Sequence, residues 1–127
     1  MPFWLRWEQP CGLANWERGD DLKQFIYRKQ IRVSSGDLQS ALARRKTCTI
    51  RAGLAEVNGS EIELTDGQNR ARVKITGVDH STLAQLSERE VAGEGFCTKQ
   101  ELERDLRQYY RTLKASDPLT VIWFEVI

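Results

Sequence analysis

A run of basic and hydroxyl side chains at residues 44–51 (RRKTCTIR) carries the clearest candidate chemistry in this sequence. Lys46 and Thr49 would face opposite sides of a continuous strand, because side chains alternate along a strand, but they converge if the backbone bends at Lys46. A neutral lysine can take the proton of a threonine hydroxyl or of a water molecule. Burial and the neighbouring arginines would lower the pKa of this lysine and favour its neutral form. The pair therefore predicts a nucleophile with its base, and Arg51 shares the face of Thr49.

The same run also has a purely structural explanation. Cations at the end of a helix complement its dipole, and a polar face is usual on an edge strand. Taken alone, a charge run is more typical of a solvated surface than of a site. The other reactive side chains are weaker candidates, because His80 is expected to be a surface or capping group and Cys48 alternates onto the apolar face with Ile50. We assign no catalytic role to His80, Cys48 or Cys97.

The helix that must position Lys46 can be recognised from its periodicity. Asp37 suits the first turn of a helix, and Leu38, Ala41 and Leu42 recur after it at helical spacing. This spacing predicts a short helix over residues 37–45 that passes directly into a strand near Lys46.

The rest of the chain indicates a mixed domain of short strands with a second helix. Period-two alternation predicts strands at residues 61–65 and 70–78, bounded by turn signals such as Asn58-Gly59 and Asp66-Gly67. Thr98 and Glu101 form a capping-box pattern that opens a longer helix, and the β-prone run at 120–127 predicts a central strand. The turns are too tight for repeated βαβ crossovers. We therefore predict an α+β fold with a largely antiparallel, barrel-like sheet.

Length and composition limit the possible partners and cofactors. A chain of 127 residues fits one domain, and its net charge of +1, from 19 basic and 18 acidic residues, gives no general attraction to DNA. Three widely spaced cysteines and a single histidine disfavour a disulfide scaffold and a metal site, so no metal or other cofactor is expected. The sequence contains no signal-peptide pattern and no apolar run long enough to span a membrane. We expect a cytoplasmic protein without membrane contact.

Residues 1–30 differ from the remainder of the chain. They contain three of the four tryptophans, Trp4, Trp7 and Trp16, and two of the three prolines, without sustained periodicity. We interpret them as an N-terminal extension of unknown role and place the domain itself at residues 31–127.

The helix-to-strand run resembles the signature of the ASCH family, which has a PUA-like β-barrel with flanking helices. In that signature a helix ends in a Gly-x-Lys stretch and continues as a strand with Thr or Glu followed by Arg, and Lys46, Thr49 and Arg51 keep this spacing. The similarity covers residues 31–127, including the stretch LSEREVAGEG and the aromatic C-terminal strand. Arg44 stands where the signature has glycine, so we expect this helix to end without the usual left-handed cap.

Within the family, the chain looks most like the bacterial N(4)-acetylcytidine amidohydrolases. The resemblance implies that Lys46 is the proton acceptor, Thr49 the nucleophile and Glu94, in a Gly-Glu-Gly loop, the proton donor. It implies deacetylation of a small nucleoside, N(4)-acetylcytidine, to cytidine and acetate, with Arg51 and Arg45 contacting the substrate.

Two alternatives stay open at this point. The first is an RNA-binding ASCH module without chemistry, in which a local patch holds RNA weakly; its residues would be Arg44, Arg45, Arg51, Arg70, Arg72 and Lys74. The second, also implied by the resemblance, is an ASCH-type ribonuclease that uses the same lysine-centred pocket. The near-neutral charge favours a nucleoside-sized substrate over RNA.

Overall fold

The computed structural model describes residues 24–127 of the chain. Its strands are β1 Gln24–Tyr27, β2 Gln30–Arg32, β3 Cys48–Ala52, β4 Leu54–Val57, β5 Glu61–Thr65, β6 Arg70–Thr82 and β7 Pro118–Val126. Its helices are α1 Ser35–Leu42, α2 Glu88–Gly93 and α3 Lys99–Tyr109, and a 3₁₀ turn spans Leu83–Gln85. No helix in this part of the chain combines the length and the hydropathy needed to cross a membrane.

The strands form a five-stranded sheet of order β2-β5-β6-β7-β3 and a two-stranded sheet of β1 and β4. The pairs β5-β6, β6-β7 and β7-β3 are antiparallel, whereas β2-β5 and β1-β4 are parallel. The predicted α+β class with a mainly antiparallel sheet is confirmed. The run at 120–127 is confirmed as a central strand, because β7 lies between β6 and β3.

Strand β7 separates two hydrophobic clusters, since both of its faces are buried. Leu119 and Val121 pack on one side with β3, α2 and α3. Ile122 and Phe124 pack on the other side with α1 and the remaining strands. A strand that is apolar on both faces is what a continuous β-prone run without alternation predicts.

Strand β1 belongs to the fold, although the sequence analysis assigned residues 24–30 to the extension. Its backbone pairs with β4, and Tyr27 is buried in the same cluster as α1. Within the described residues, Gln24–Tyr27 is therefore packed with the domain. The tryptophans of the predicted extension lie outside the described residues.

The side chain of Thr120 joins the two sheets. Its hydroxyl accepts a hydrogen bond from the Ala55 N–H (2.8 Å) and donates one to the Gly53 carbonyl (2.8 Å), and Thr120 is fully buried. These two bonds hold the start of β4 against β7. One side chain thus satisfies two buried backbone groups that the sheet ladders leave unpaired.

Replacing Thr120 by Val is expected to lower the free energy of unfolding by about 1–3 kcal/mol, because two buried backbone groups lose their partner while the shape of the side chain is kept. Urea denaturation followed by circular dichroism measures this change. The matched control is Thr112→Val at an exposed position, which should stay within about 0.5 kcal/mol of the wild type. Equal stability of the two variants would contradict the role given to Thr120.

Candidate active site

Helix α1 ends in a left-handed turn that aims the chain into β3. The Arg44 N–H donates to the Ala41 carbonyl (3.0 Å) and the Arg45 N–H donates to the Ser40 carbonyl (2.9 Å). These are the two bonds of a Schellman cap, and Arg44 occupies its left-handed position with φ of 62°. The expectation that the helix ends without this cap was wrong. The glycine of the signature is absent, but an arginine takes its backbone conformation.

Replacing Arg44 by Gly is expected to raise the free energy of unfolding by about 0.5–1 kcal/mol. A non-glycine residue in this conformation costs about 1–2 kcal/mol, and the added freedom of glycine in the unfolded chain offsets part of the gain. Arg44 is exposed, so its side chain contributes little packing. Arg44→Ala is the control, because alanine keeps the strain. Thermal denaturation of the three proteins measures the difference, and a less stable glycine variant would contradict the strain argument.

Glu94 lies at the end of α2, where it is the C-cap residue. The sequence analysis placed it in a loop, but Gly93 is the last helical residue and only Gly95 (φ 87°) is left-handed. The Gly95 and Phe96 N–H groups donate to the carbonyls of Ala92 (2.9 Å) and Val91 (3.0 Å), which is again the Schellman pattern. A helix end therefore fixes the backbone of the acid more firmly than a loop would.

Gly93 brings this helix end close to the strand that carries Thr49. A Cβ at Gly93 would come within 2.9 Å of both the Cys48 sulfur and the Trp123 ring. The Gly93 carbonyl accepts a hydrogen bond of 2.7 Å from the Thr47 N–H. Glycine is thus required here by close packing.

The residues predicted for chemistry converge on one small cavity of about 20 Å³, enough for about one water molecule. It lies between α1, β3, the end of α2 and the inner face of α3. Its lining consists of Asp37, Lys46, Thr49, Ile50, Arg51, Glu94, Asp105, Leu106, Tyr109 and Tyr110. Lys46, Thr49, Arg51 and Glu94 are therefore brought together, although 45 positions separate Thr49 from Glu94.

Arg45 is not part of the cavity lining, and its side chain is exposed. Arg51 is buried, and its guanidinium donates to the carbonyl of Arg32 at the end of β2. Arg51 therefore ties β2 to the wall of the cavity. The substrate contacts predicted for both arginines stay predictions.

Lys46 and Glu94 form a buried ion pair. The Lys46 Nζ donates to Glu94 Oε1 at 2.7 Å, and the two side chains are only 3% and 6% exposed. Asp37 adds a second carboxylate, with its Oδ1 at 3.9 Å from the same Nζ. A charge-assisted hydrogen bond of this length is strong, and its burial shields it from solvent.

The pKa of Lys46 is raised, which reverses the direction predicted from the sequence. Burial disfavours the ammonium, but the carboxylates of Glu94 and Asp37 outweigh this effect. The sequence analysis considered the neighbouring arginines, but Arg44 and Arg45 are exposed and the charges nearest to Lys46 are acidic. Lys46 is therefore an ammonium in the resting protein.

Burial also raises the pKa of Glu94, although the positive charge of Lys46 opposes this effect. Asp105 is partly buried in the same cavity, and its pKa is raised by burial and by the charge of Asp37. The pocket thus holds more acidic than basic groups around one amine. Burial disfavours both ions of the Lys46–Glu94 pair, and their mutual attraction opposes this effect.

Sequence reasoning missed Asp37, Asp105 and Tyr109 as members of the cavity. Asp37 was interpreted only as a residue of the first helical turn. Asp105 and Tyr109 lie on α3 at the spacing of its buried residues Leu102 and Leu106. An acid within the apolar stripe of an amphipathic helix was the available signal.

His80 and Cys48, which were given no catalytic role, do not line the cavity. His80 is exposed, and its Nε2 contacts the carbonyl of Ala55 (3.1 Å). Cys48 is buried in the core, and burial, together with the charge of Glu94, raises the pKa of its thiol. Among residues 24–127, no group of three or more His, Cys, Asp or Glu side chains is arranged to hold a metal ion.

Comparison with known proteins identifies the fold. No protein-family model matches the chain, and no curated protein sequence is significantly similar to it. Several solved structures are similar over most of its length. A DUF984-family protein from Enterococcus faecalis shares 19% identity at a TM-score of 0.62, over 90% of this chain and 86% of that one. An ASCH domain from Lactobacillus crispatus shares 17% identity at a TM-score of 0.57, over 99% of this chain and 95% of that one.

A third similar structure is a mutant of the ZmASCH protein from Zymomonas mobilis. It shares 13% identity at a TM-score of 0.55, over 81% of this chain and 69% of that one. At identities this low, the similarity shows a shared backbone fold and does not show a shared reaction. At the level of the backbone, these comparisons agree with the resemblance found in the sequence: this chain has the fold of ASCH domains.

Proposed function

We propose that this protein is an amide hydrolase that removes the acetyl group of N(4)-acetylcytidine, giving cytidine and acetate. The observation that carries the proposal is the direct contact between a buried lysine and a buried glutamate, Lys46 and Glu94, in a cavity that Thr49 also lines. An amine, a carboxyl and a hydroxyl in one pocket supply the base, acid and nucleophile that acyl transfer needs. The cavity has room for about one water molecule, so the nucleoside part of the substrate would have to bind outside it.

The resting ion pair must first become reactive, because an ammonium cannot act as a base. Transfer of one proton from Lys46 to Glu94 gives a neutral amine and a carboxylic acid without any proton from solvent. A substrate that covers the cavity removes the remaining water and disfavours both ions, so it favours this neutral pair. The raised pKa of Glu94 works in the same direction, whereas the raised pKa of Lys46 opposes the transfer.

In the first half of the reaction, the Thr49 hydroxyl oxygen attacks the acetyl carbonyl carbon and its proton passes to the Lys46 amine. The tetrahedral intermediate then collapses, and the bond between the carbonyl carbon and the exocyclic nitrogen breaks. Glu94 gives its proton to that nitrogen, so cytidine leaves with an amino group. The acetyl group is left as an ester on Thr49, and the Lys46–Glu94 ion pair is restored.

In the second half, water hydrolyses the ester. Glu94 takes a proton from the attacking water, whose oxygen bonds to the acetyl carbon, and the bond to the Thr49 oxygen breaks as Lys46 donates a proton to that oxygen. Acetic acid leaves and ionises to acetate. Each turnover therefore consumes one water molecule and releases one proton at neutral pH.

The positions of the basic side chains support RNA binding less well than they support hydrolysis of a nucleoside. Arg72 pairs with Glu61 at 2.7 Å, and Arg70 lies 3.7 Å from Glu63. Arg51 is buried beside the cavity and cannot join an outer patch. The cations considered for RNA contact are thus partly neutralised or withdrawn from the surface, which weakens the electrostatic attraction that RNA binding requires.

An assay with two substrates tests the proposal. The purified protein is incubated with free N(4)-acetylcytidine and, separately, with an RNA oligonucleotide that contains the same acetylated base. We expect deacetylation of the free nucleoside. Deacetylation of the oligonucleotide alone would overturn the proposed substrate class, and cleavage of the oligonucleotide would indicate a ribonuclease. Submicromolar RNA binding at physiological salt without any reaction would favour the binding module.

A further inference from the structure

Three of the described side chains that line the cavity are also in contact with solvent. Asp37 is 40% exposed, and Asp105 and Tyr109 are partly exposed. The other lining side chains are at most 6% exposed. We call Asp37, Asp105 and Tyr109 the mouth of the cavity. A part of the substrate that does not enter the cavity must therefore lie beside these three side chains.

The mouth presents negative charge to solvent. Burial and the charge of Asp37 raise the pKa of the Asp105 carboxyl, so the two acids lie close enough to interact. Burial and both carboxylates also raise the pKa of Tyr109, which keeps this phenol neutral. The cations that favour ionisation of these groups, Lys46 and Arg51, are 3% exposed and lie behind the mouth. A charged substrate therefore meets the two carboxylates before it meets a cation.

The size of the cavity decides which part of the substrate meets this charge. The cavity has room for about one water molecule, so the base and the sugar of an acetylated cytidine stay outside it. A nucleoside is about 10 Å long, which is close to the Debye length at about 0.1 M salt. A phosphate on the sugar would therefore remain within range of both carboxylates and be repelled by them. The same sugar without a phosphate is uncharged and escapes this repulsion.

We propose that the two carboxylates of the mouth, Asp37 and Asp105, exclude phosphorylated substrates, so that the site accepts the free nucleoside and rejects the nucleotide. This inference rests on the proposed function, because it concerns the form of acetylated cytidine that reaches Lys46 and Thr49. In this role the two acids act through their charge on the part of the substrate that lies outside the cavity, and they transfer no proton.

Hydrolysis of three substrates by the wild-type protein tests the role of charge. They are N(4)-acetylcytidine, its 5′-monophosphate and the neutral dimethyl ester of that monophosphate, all at a mildly alkaline pH that favours the ionised acids. We expect kcat/KM for the monophosphate to be about 10-fold below that for the nucleoside at about 0.01 M salt, and within about 2-fold of it at about 1 M salt, because the Debye length falls from about 30 Å to about 3 Å. The neutral ester should match the nucleoside at both salt concentrations.

Two results with the wild type would overturn the inference. Equal kcat/KM for the nucleoside and the monophosphate at low salt would show that the mouth does not repel phosphate. Rejection of the neutral ester as strong as that of the monophosphate would assign the discrimination to size. An inactive wild type would contradict the proposed hydrolysis and this inference together, whereas an active wild type without discrimination would contradict this inference alone.

Variants that remove one charge locate the effect. Asp37 also lies 3.9 Å from the Lys46 amine, so the measured quantity is the ratio of kcat/KM for the nucleoside to that for the monophosphate, in which a common loss of rate cancels. Asp37→Asn and Asp105→Asn are each expected to lower this ratio about 3-fold at low salt, and the double variant should bring it close to 1. Glu56→Gln, at an exposed position on β4 outside the cavity lining, should keep the wild-type ratio. A wild-type ratio in an active double variant would overturn the inference, and if that variant is inactive, the salt series with the wild type decides.

Discussion

Replacing Lys46 by Met is expected to abolish N(4)-acetylcytidine hydrolysis, with a loss of at least about 10²-fold in kcat/KM, and to lower the free energy of unfolding by about 3 kcal/mol at pH 7. Methionine keeps most of the apolar volume of lysine, so cavity formation adds little. The cost arises because Glu94 is left buried without its cation, and its side chain is only 6% exposed. Removing one partner of a buried pair is far more costly than removing both.

The stability deficit of Lys46→Met depends on pH in a defined direction. Burial raises the pKa of Glu94 above its ordinary value of 4.5, and without Lys46 nothing opposes this effect. The folded variant therefore binds a proton more tightly than the unfolded chain does. The stability that the variant gains from protonated Glu94 is fully present below pH 4.5. It is lost as pH rises through the pKa of Glu94 in the folded variant. Denaturation at several pH values should thus show a deficit, relative to wild type, that is larger at pH 7 than at pH 5.

A double variant separates stability from chemistry. Lys46→Met with Glu94→Leu replaces both ions by apolar groups of similar size, and such replacements are often neutral or stabilising. We expect its free energy of unfolding to return close to that of the wild type while hydrolysis stays absent. Lys46→Arg provides a further check, because arginine holds Glu94 but cannot give up its proton. Near-full activity of Lys46→Arg would show that Lys46 is an electrostatic anchor and would exclude it as the base.

Replacing Thr49 by Val should remove the nucleophile and lower kcat by about 10³-fold or more, without unfolding the domain. Thr49 is 4% exposed on β3, and valine fills nearly the same space. The matched control is Thr47→Val, two residues earlier in the chain, where the side chain is exposed. The backbone of Thr47 makes two hydrogen bonds, from its N–H to the Gly93 carbonyl (2.7 Å) and from the Phe124 N–H to its own carbonyl (3.0 Å).

Steady-state kinetics of the two threonine variants give a clear comparison. Thr47→Val is expected to retain wild-type kcat, and circular dichroism should confirm that both variants are folded. If Thr49→Val retains activity, the Thr49 hydroxyl is not the nucleophile, and a water molecule activated by the Lys46–Glu94 pair would take its place.

The first helix with the strand that follows it, the start of α3 and the central strand β7 could be predicted, because they depend on local signals. Convergence of Lys46 and Thr49 was predicted to need a bend at Lys46, and the structure turns the chain two residues earlier, at Arg44. The capping box of Thr98 and Glu101 predicted the start of α3. The proximity of Glu94, however, came from the family resemblance, since periodicity contains no information on a contact between residues 48 positions apart.

The charge state of the site could not be predicted, because it depends on tertiary contacts. Arg44 and Arg45, which precede Lys46 in sequence, are exposed, whereas Glu94 and Asp37 contact Lys46 from two different helices. A charge run is also typical of a solvated surface, yet Lys46 is 3% exposed. The residues next to Lys46 in sequence predicted a lowered pKa. The pKa is raised because the packing of α1 and α2 around β3 brings two carboxylates close to the amine.

The most direct measurement is a time course in which both products of N(4)-acetylcytidine are quantified. The substrate carries ¹³C in its acetyl group, so NMR reports acetate while chromatography reports cytidine. The Lys46→Met, Glu94→Leu double variant, purified in the same way, serves as the blank for contaminating hydrolases. We predict equal amounts of cytidine and acetate, formed at a rate proportional to the concentration of the wild-type protein and absent from the blank. Folded wild-type protein that forms no cytidine, or a blank that forms it equally fast, would contradict the account.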